Sequence, residues 1–528
     1  QNRFYGYHGK FNHDMHEDGE VASISSLRPS VTEPEYLKAV RKIKGYIEDG
    51  DTYQVNHTFK LKFDFSGSAA DLYCRLRNAQ HVAFSAFIRL EGSSILSFSP
   101  ELFFRTEKNA ITLKPMKGTS PRGRTLEEDQ QMKSELSRSE KNRAENLMIV
   151  DLLRNDVGKI ARTGTVKVSK FFEIEKYDTV FQATSTIRAK LRPGWTVAEI
   201  IRSLFPSGSV TGAPKIRTMQ IINEVETEPR GIYTGAIGFV SPKRQSVFNV
   251  AIRTVVLDHS SKTGEMGIGS GIVHDSIPEE EYRECFLKAK FLTEPREEFG
   301  LFETIRWDIE KGWSLLSGHL RRLRNSARYF DFKFSSSSVA SVLHNCEKDL
   351  RTQTKGSANY RVKITLERDG SVSATHSELK PLADRQLAAL SGEKTYSRDR
   401  FLFHKTTNRR IYDESLRRAE ALGLFDFIFL NENDELTEGA RSNLVVRKGE
   451  KYYTPPVRCG VLPGVFRAGL FTRRGIPVEE KALHVGDLEQ ADGVFLCNAL
   501  RGMVKVQLVD IREHAREKSH AQLLAVED

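Results

Sequence analysis

Apolar residues along the chain follow two different periods. Alternating or continuous apolar runs at 53–63, 83–90 and 232–240 predict strands. Between them lie stretches at helical spacing. Residues 140–160 carry Leu147, Val150, Leu153 and Val157 on one stripe, and 277–292 carry Tyr282, Phe286 and Ala289. Ser276-Ile-Pro-Glu279 reads as a capping box with Pro278 in the first turn, opening the second of these helices. From about Glu33 to Leu292 the pattern implies an α+β layered domain. The polar stretch 293–298, which holds Pro295, interrupts it, and a second unit starts near Phe299. There 319–330 predicts a helix, 360–366 and 425–430 predict strands, and Gly460 and Gly464 bracket a turn. The expected domains are therefore 1–298 and 299–528. The only low-complexity tract is the serine run 335–338, and no repeat of roughly 20–50 residues is present.

Composition sharpens this picture at a few points. A chain of 528 residues, 39% hydrophobic and 28% charged, is an ordinary globular one able to bury large cores. No apolar stretch reaches the roughly 18 residues of a membrane span and no secretory pattern opens the chain, so a cytoplasmic location and no membrane association are expected. Gln1 in place of Met suggests a start inside a longer natural chain, which leaves a targeting segment open. Basic residues exceed acidic ones by 80 to 70, but they are scattered and not interleaved with aromatics, which argues against nucleic acid. Cys74, Cys285, Cys346, Cys459 and Cys497 are odd in number and lack a C-x-x-C pair, fitting reduced thiols better than disulfides or zinc.

Charge placement on the two helices raises a chemical question. Glu281, Glu284 and Lys288 fall at i, i+3 and i+7 and share one face, while Glu145 lies near the start of the other helix. Three such acids could hold a magnesium ion completed by water. Spacing alone favours two solvated amphipathic faces.

Ser99-Pro-Glu-Leu-Phe-Phe104, Lys114-Pro-Met-Lys-Gly-Thr119, Glu145-Asn-Leu-Met-Ile-Val-Asp-Leu-Leu-Arg-Asn-Asp156, Gly208-Ser-Val-Thr-Gly-Ala-Pro-Lys215 and Gly269-Ser-Gly-Ile-Val273 change that balance when read in order. Over about 33–292 the chain closely resembles the chorismate-binding enzymes. The resemblance implies a two-layer α/β sandwich that binds chorismate and Mg²⁺, with Glu145 and Glu284 as direct metal ligands and Glu281 acting through water. It also implies that Tyr233, Arg253, Lys288 and the amides of Gly269 and Gly271 hold a substrate carboxylate, with Thr211 beside the substrate. Taken singly, the glycines would only allow a tight turn and Arg253 would make an ordinary ion pair.

Within the family, the reaction is read from two positions. Loss of the C4 hydroxyl needs a protonated acid nearby, and Glu101 matches the family's acid. Lys117 stands where aminodeoxychorismate synthases have a lysine and anthranilate synthases usually have alanine. A desolvated amine there can attack C2 and expel the C4 hydroxyl, after which ammonia adds at C4. Gln54 stands where isochorismate and salicylate synthases carry a water-activating lysine, which disfavours water addition. Gln182 departs from the histidine of many relatives, so that histidine's role does not transfer. Only about 32 residues precede the matching core, so the relatives' N-terminal extension is expected to be truncated.

Past Phe299, His404-Lys-Thr-Thr-Asn408 and Thr437-Glu-Gly-Ala-Arg-Ser-Asn443, preceded by Gly318-His-Leu-Arg-Arg-Leu323 and followed by Leu496-Cys-Asn-Ala-Leu500, resemble the class IV aminotransferase family over about 299–508. That implies a fold-type IV α/β domain pair holding pyridoxal 5'-phosphate. Lys405 would tether the cofactor, Glu438 would face its ring nitrogen, Arg322 would anchor its phosphate, and Asn443 and Asn498 would lie near it. An amine, a carboxylate and a cation are what such a cofactor needs. Without the set, Lys405 would be one exposed lysine among many.

These motifs separate aminotransferases from 4-amino-4-deoxychorismate lyases poorly, so the fusion decides, with Leu301-Phe-Glu-Thr-Ile-Arg306 adding support. The expected function is conversion of chorismate and ammonia to 4-amino-4-deoxychorismate, then loss of pyruvate to give 4-aminobenzoate for folate synthesis. No Gly-x-Cys-x-Gly elbow surrounds any cysteine, so a separate glutamine amidotransferase subunit is the expected partner. The resemblance leaves room for a homodimer through the second unit. The alternatives are an anthranilate-type synthase fused to an amino-acid aminotransferase, and a scaffold that binds chorismate without turnover.

Overall fold

The computed structural model describes residues 21–79, 82–293, 298–353, 358–471, 477–514 and 516. Pro295 and the centre of the expected linker lie outside them. Contacts divide the chain into two units, Gln1–Arg122 with Met132–Arg296, and Gly123–Gln131 with Glu297–Asp528. The short segment from the first half is held in the second unit by its backbone and by the Arg124 side chain, whose Nη1 donates to the Ser397 and Arg458 carbonyls. The Tyr329 hydroxyl donates to the Gly123 carbonyl at 2.5 Å, and His404 Nε2 donates to that of Arg124 at 3.0 Å.

In the first unit one sheet runs in the order Ser23–Pro29, Gln54–Ser66, Thr263–Ile272, Thr254–Asp258, Ser93–Ser99, Phe84–Leu90. Phe59, Leu61, Phe63 and Phe65 alternate along its longest strand and bury one face. Helices Glu33–Glu48 and Pro278–Thr293 supply Tyr36, Val40, Ile43, Cys285 and Ala289 to the same core. A second sheet runs Ala236–Val240, Ser246–Val250, Leu102–Glu107, Ala110–Lys114, Val180–Lys190, Met116–Pro121, with Lys167–Lys176 also on Val180–Lys190. Phe104, Ile111, Leu113 and Ile187 from this sheet pack on Ile149, Val150, Leu153 and Val157 of helix Glu140–Gly158.

Several expectations need correction in detail. Leu147 is 48% exposed, whereas Val150, Leu153 and Val157 are buried as expected and Asn146 and Ile149 complete the buried face. Strand 232–240 begins only at Ala236, since Ile232–Gly235 closes a turn in which the Gly235 amide donates to the Ile232 carbonyl. The capping box at Ser276 does not form with Glu279. The Ser276 hydroxyl accepts the Val273 amide at 3.1 Å and donates to Glu281 at 2.6 Å.

The second unit has a four-stranded sheet, Gly312–Trp313, Leu301–Asp308, Asn359–Leu366, Val372–Glu378, backed by helices Leu316–Phe330 and Ser336–Gln353. The serine run starts the second of these, with Ser335 accepting the Ser338 amide. An eight-stranded sheet follows, ordered Leu436–Gly439, Asp426–Asn431, Leu387–Thr395, Gly502–Leu508, Gly493–Asn498, Asn443–Lys448, Lys451–Thr454, Val478–Glu480. All five cysteines are free thiols. Among the described residues no helix is long and apolar enough to cross a membrane.

Candidate functional site

Lys117 stands on strand Met116–Pro121, and its Nζ lies 3.4 Å from Glu145 Oε2 on helix Glu140–Gly158. The next residue of that helix, Asn146, is fully buried; its Nδ2 donates to the Lys117 carbonyl at 2.9 Å, and its Oδ1 accepts the Ser185 hydroxyl at 2.6 Å. The lysine is thus gripped by backbone and by charge. On its other side is strand Thr263–Ile272, where a Cβ placed on Gly271 would come within 3.0 Å of Lys117 Nζ and 3.2 Å of Gln54 Nε2. The absence of a side chain at Gly271 is what lets the amine and the Gln54 amide lie side by side. Gln54 Oε1 is buried with no protein partner. Such an acceptor is costly unless a ligand meets it.

Glu101 is 4% exposed and accepts the Ser209 hydroxyl at 2.6 Å. Burial lifts its carboxyl to about 7, against the hydrogen bonds from Ser209 and the Met116 backbone. A partly protonated acid is therefore held between Ser209 of the Gly208–Lys215 motif and the backbone of Met116, the residue before Lys117 in sequence. Burial pushes the Tyr177 hydroxyl well up, and Glu175 adds to it. Arg253 has φ +49°, in the left-handed region that side chains rarely adopt.

The remaining sequence-predicted residues divide clearly. Tyr233 lies over Gly267, where a Cβ would meet its ring at 2.1 Å. Lys288 donates to the Gly269 carbonyl at 2.8 Å and pairs with Glu284 at 2.8 Å. Gly269 faces the His57 carbonyl so closely that a Cβ there would stand 2.4 Å away. Thr211 is buried and its hydroxyl is taken by the Ser207 carbonyl at 3.0 Å. The motif ends Asp156 and Lys215 form a part-buried ion pair that joins two motifs. Glu145, Glu281 and Glu284 do not converge: each is engaged with Lys117, Ser276 or Lys288, and among the described residues no three acidic, histidine or cysteine side chains gather as a metal site.

In the second unit Lys405 follows His404, and its carbonyl accepts the Phe302 amide at 2.9 Å, tying it to strand Leu301–Asp308. Its Nζ is 4.7 Å from the Phe302 ring centre. Part of the side chain remains open to solvent, yet burial of the ammonium, followed by the charges of Arg409 and Arg322, draws it down to about 7. Burial lifts the Glu438 carboxyl to about 8, and it accepts Tyr412 Oη at 3.1 Å, Asn443 Nδ2 at 2.9 Å and the Leu462 amide at 3.1 Å. Arg322 is clamped by Glu303 through Nε and Nη2, both at 2.7 Å, and Nη1 donates to the Pro463 carbonyl at 3.3 Å, leaving two of its five N–H bonds. Burial alone would raise Glu303, but Arg322 and then His319 overcome it and hold the carboxyl at about 2. Asn498 caps the turn after it, accepting the Leu500 and Arg501 amides, and donates to the Arg441 carbonyl at 3.3 Å.

Sequence reasoning did not select Asn146, Ser185, Ser209, Tyr177, Glu303, His319 or Tyr412. Asn146, Ser209, Glu303 and His319 lie inside the quoted motifs, and all but Glu303 are one to three positions from a selected residue. Ser185 and Tyr412 carried no local signal.

The family description "chorismate binding enzyme" matches residues 5–294, and "amino-transferase class IV" matches 300–509. Among curated relatives, aminodeoxychorismate synthase component 1 of Bacillus subtilis is 40% identical over 51% of this chain and 56% of its own length. Anthranilate synthase component 1 of Aquifex aeolicus is 39% identical over 51% of this chain and 54% of its own. The chain thus spans about half the length of these relatives. A solved structure of anthranilate synthase component I from Streptococcus pneumoniae shares 33% identity over 52% of this chain and 60% of that one, with a TM-score of 0.48. Five motifs in register and a match covering more than half its length make the chain a member of the chorismate binding enzyme family, joined to a class IV aminotransferase domain.

Proposed function

We propose that the first unit converts chorismate and ammonia to 4-amino-4-deoxychorismate and that the second removes pyruvate from it to give 4-aminobenzoate, a folate precursor. The observation that carries this reading is Lys117, a gripped amine whose strand neighbour Met116 donates its backbone amide to an acid raised to about 7. Its Nζ adds at ring C2, the double bonds shift, and the C4 hydroxyl leaves as water with the proton from Glu101. Ammonia then adds at C4, the double bonds shift back, and the Lys117 amine departs with its bonding electrons. The new nitrogen therefore ends at C4. An anthranilate-type reaction places it at C2 and leaves this amine without a task.

Arg253 and Tyr233 are the residues assigned to a substrate carboxylate, with Lys288 beside the Gly269 carbonyl. Glu145, Glu281 and Glu284 are oxygen donors suited to Mg²⁺ by type. As arranged they do not form a ligand set, and no step here runs through a metal. Ammonia is assigned to a glutamine amidotransferase partner.

The second unit's residues fit pyridoxal 5'-phosphate: a depressed amine, a buried carboxyl with three donors and a clamped guanidinium stand in one place. When bound, that cofactor supplies an electron-withdrawing ring next to the substrate amine. Lys405, near neutrality, accepts the proton from C4 of the substrate, the C3–O bond breaks as the ring becomes aromatic, and the proton passes to the departing enolpyruvate, which becomes pyruvate. Glu438 holds a proton toward the ring nitrogen, and Arg322 binds the phosphate with its two remaining N–H bonds.

Chorismate, ammonium and pyridoxal phosphate are incubated with the full chain and the isomer formed is identified by mass spectrometry and fluorescence. The reading requires 4-aminobenzoate and pyruvate in equal amounts. Formation of 2-aminobenzoate would refute it.

A further inference from the structure

Lys405 and Glu438 are placed by two different arms of the second unit's chain. Lys405 follows arm 397–404, which contains the turn Arg400–Phe403. Glu438 accepts the Leu462 amide at 3.1 Å from arm 457–463, whose Pro463 carbonyl also accepts Arg322 at 3.3 Å. The arms touch at Gly460, where φ is +94° and a Cβ would stand 3.0 Å from Leu402 Cδ1 and 3.2 Å from Ser397 Cα. Where the amine lies relative to the acid therefore depends on how these arms are held together.

Arg124 spans them. Its Nη1 donates to the Ser397 carbonyl of one arm and to the Arg458 carbonyl of the other, both at 3.1 Å. Its Nε and Nη2 donate to Glu128 at 3.0 and 2.7 Å, which fixes the plane of the fork and so aims Nη1. The guanidinium also lies over the Phe403 ring, 4.9 Å from its centre. The backbone of the same residue reaches the first arm again, its carbonyl accepting His404 Nε2 at 3.0 Å. His404 Nδ1 is bonded to the Ser326 hydroxyl at 2.9 Å, and its ring lies 4.4 Å from that of Tyr329. The residue before Lys405 is thus held at both ring nitrogens. Asn431 and Glu432 bind the arms too, at the Cys459 carbonyl and at Ser397, but each holds one arm. Arg124 joins both through one nitrogen.

We infer that Arg124 is a positioning residue for the second unit, setting the spacing between Lys405 and Glu438 by bridging the arms that place them. The groups that do the chemistry stand after Glu297, while part of their framework comes from Gly123–Gln131, a segment of the first half of the chain. This rests on the reading of Lys405 and Glu438 as the cofactor-facing pair, and it holds for a lyase or an aminotransferase alike. A displacement of about 1 Å at a reacting group costs up to roughly a hundredfold in rate, so a loosened joint remote from the chemistry is enough to impair it.

The test reads Lys405 itself, in the full chain before cofactor is added. Lysines are labelled briefly with acetic anhydride across a pH series, and labelling of the Lys405 peptide is followed by mass spectrometry. In the parent the midpoint is expected near 7, where burial, then the charges of Arg409 and Arg322, bring the amine against Glu303 and Glu438. Arg124→Lys keeps the charge, but lysine has no planar fork to grip Glu128 twice while bridging two carbonyls. It is expected to let water reach the amine, moving the midpoint up to about 8 or above, and to weaken pyridoxal phosphate uptake at least about tenfold. Tyr329→Phe removes the bond to the Gly123 carbonyl and leaves the bridge in place, so it should lower stability to urea while the amine stays near 7. If Arg124→Lys does not fold, Glu128→Gln, which loosens the fork's anchor, is read the same way. A midpoint unmoved by loss of the bridge, or moved equally by Tyr329→Phe, overturns the inference. A parent chain that takes up no pyridoxal phosphate would sink the cofactor reading alone, since the labelling profile still decides this one.

Discussion

Replacing Glu101 by Gln should stabilise the protein at alkaline pH while disabling its first unit. The carboxyl is 4% exposed, and burial moves it from 4.5 to about 7, with Ser209 and the Met116 amide only partly opposing. A raised acid binds its proton more tightly when folded. Its contribution to stability is full below 4.5, declines as pH rises and is lost above about 7. At 1.36 kcal/mol per unit, a shift of about 2.5 units corresponds to about 3 kcal/mol of stability missing at pH 8. Glutamine carries no charge to bury and its Oε1 can still accept Ser209. Urea denaturation should therefore show the variant about 3 kcal/mol more stable than the parent at pH 8 and near parity at pH 4.5. Ammonium-dependent turnover of chorismate should fall by at least about a hundredfold, the usual range for a lost general acid. In the parent, the rate should decline above pH 7 as Glu101 ionises. A stability difference independent of pH, or turnover retained in the variant, would refute the assignment of a buried, protonated acid.

Other consequences of the geometry are separately testable. Gly271→Ala places a methyl about 3.0 Å from Lys117 Nζ, the free end of a flexible side chain, so the thermal midpoint should barely move while aminodeoxychorismate formation drops sharply. Glu303→Gln leaves Arg322 without its carboxylate clamp, and titration followed by absorption should show pyridoxal phosphate binding weakened by roughly ten- to a hundredfold. Lys405→Ala should let aminodeoxychorismate accumulate from chorismate and ammonium, detectable by chromatography; continued release of pyruvate would exclude Lys405 as the proton carrier.

The sequence made some of this legible and hid the rest for definite reasons. Helix and strand periods located Glu140–Gly158, Pro278–Thr293, Gln54–Ser66 and Leu316–Phe330 to within a few residues, because each buries one face in a core whose spacing the pattern records. Periodicity erred by one position at Leu147, since an apolar residue just off the stripe looks the same in sequence as one on it. Ser276 kept its role at the helix start but chose Glu281 over Glu279, a choice set by where the carboxylate reaches in space. Motif comparison singled out Lys117 and Glu145, yet their contact joins a strand and a helix with nothing between them in sequence to announce it. The grip of Asn146 and Ser185, 39 residues apart, and the clamp of Glu303 on Arg322 are likewise products of register and packing. Nor does any local signal tell that Gly123–Gln131 belongs with the second unit; the carbonyls that accept Tyr329 and His404, and the Arg124 guanidinium that donates to the Ser397 and Arg458 carbonyls, reveal it.

The most direct test of the account is to quench the full chain in acid after mixing with chorismate in the absence of ammonia, digest it, and locate any added mass by peptide mass spectrometry. An adduct of chorismate less one water on the peptide containing Lys117, absent from Lys117→Ala, is the predicted result. An adduct on another residue, or undiminished 4-aminobenzoate synthesis by Lys117→Ala, would contradict it.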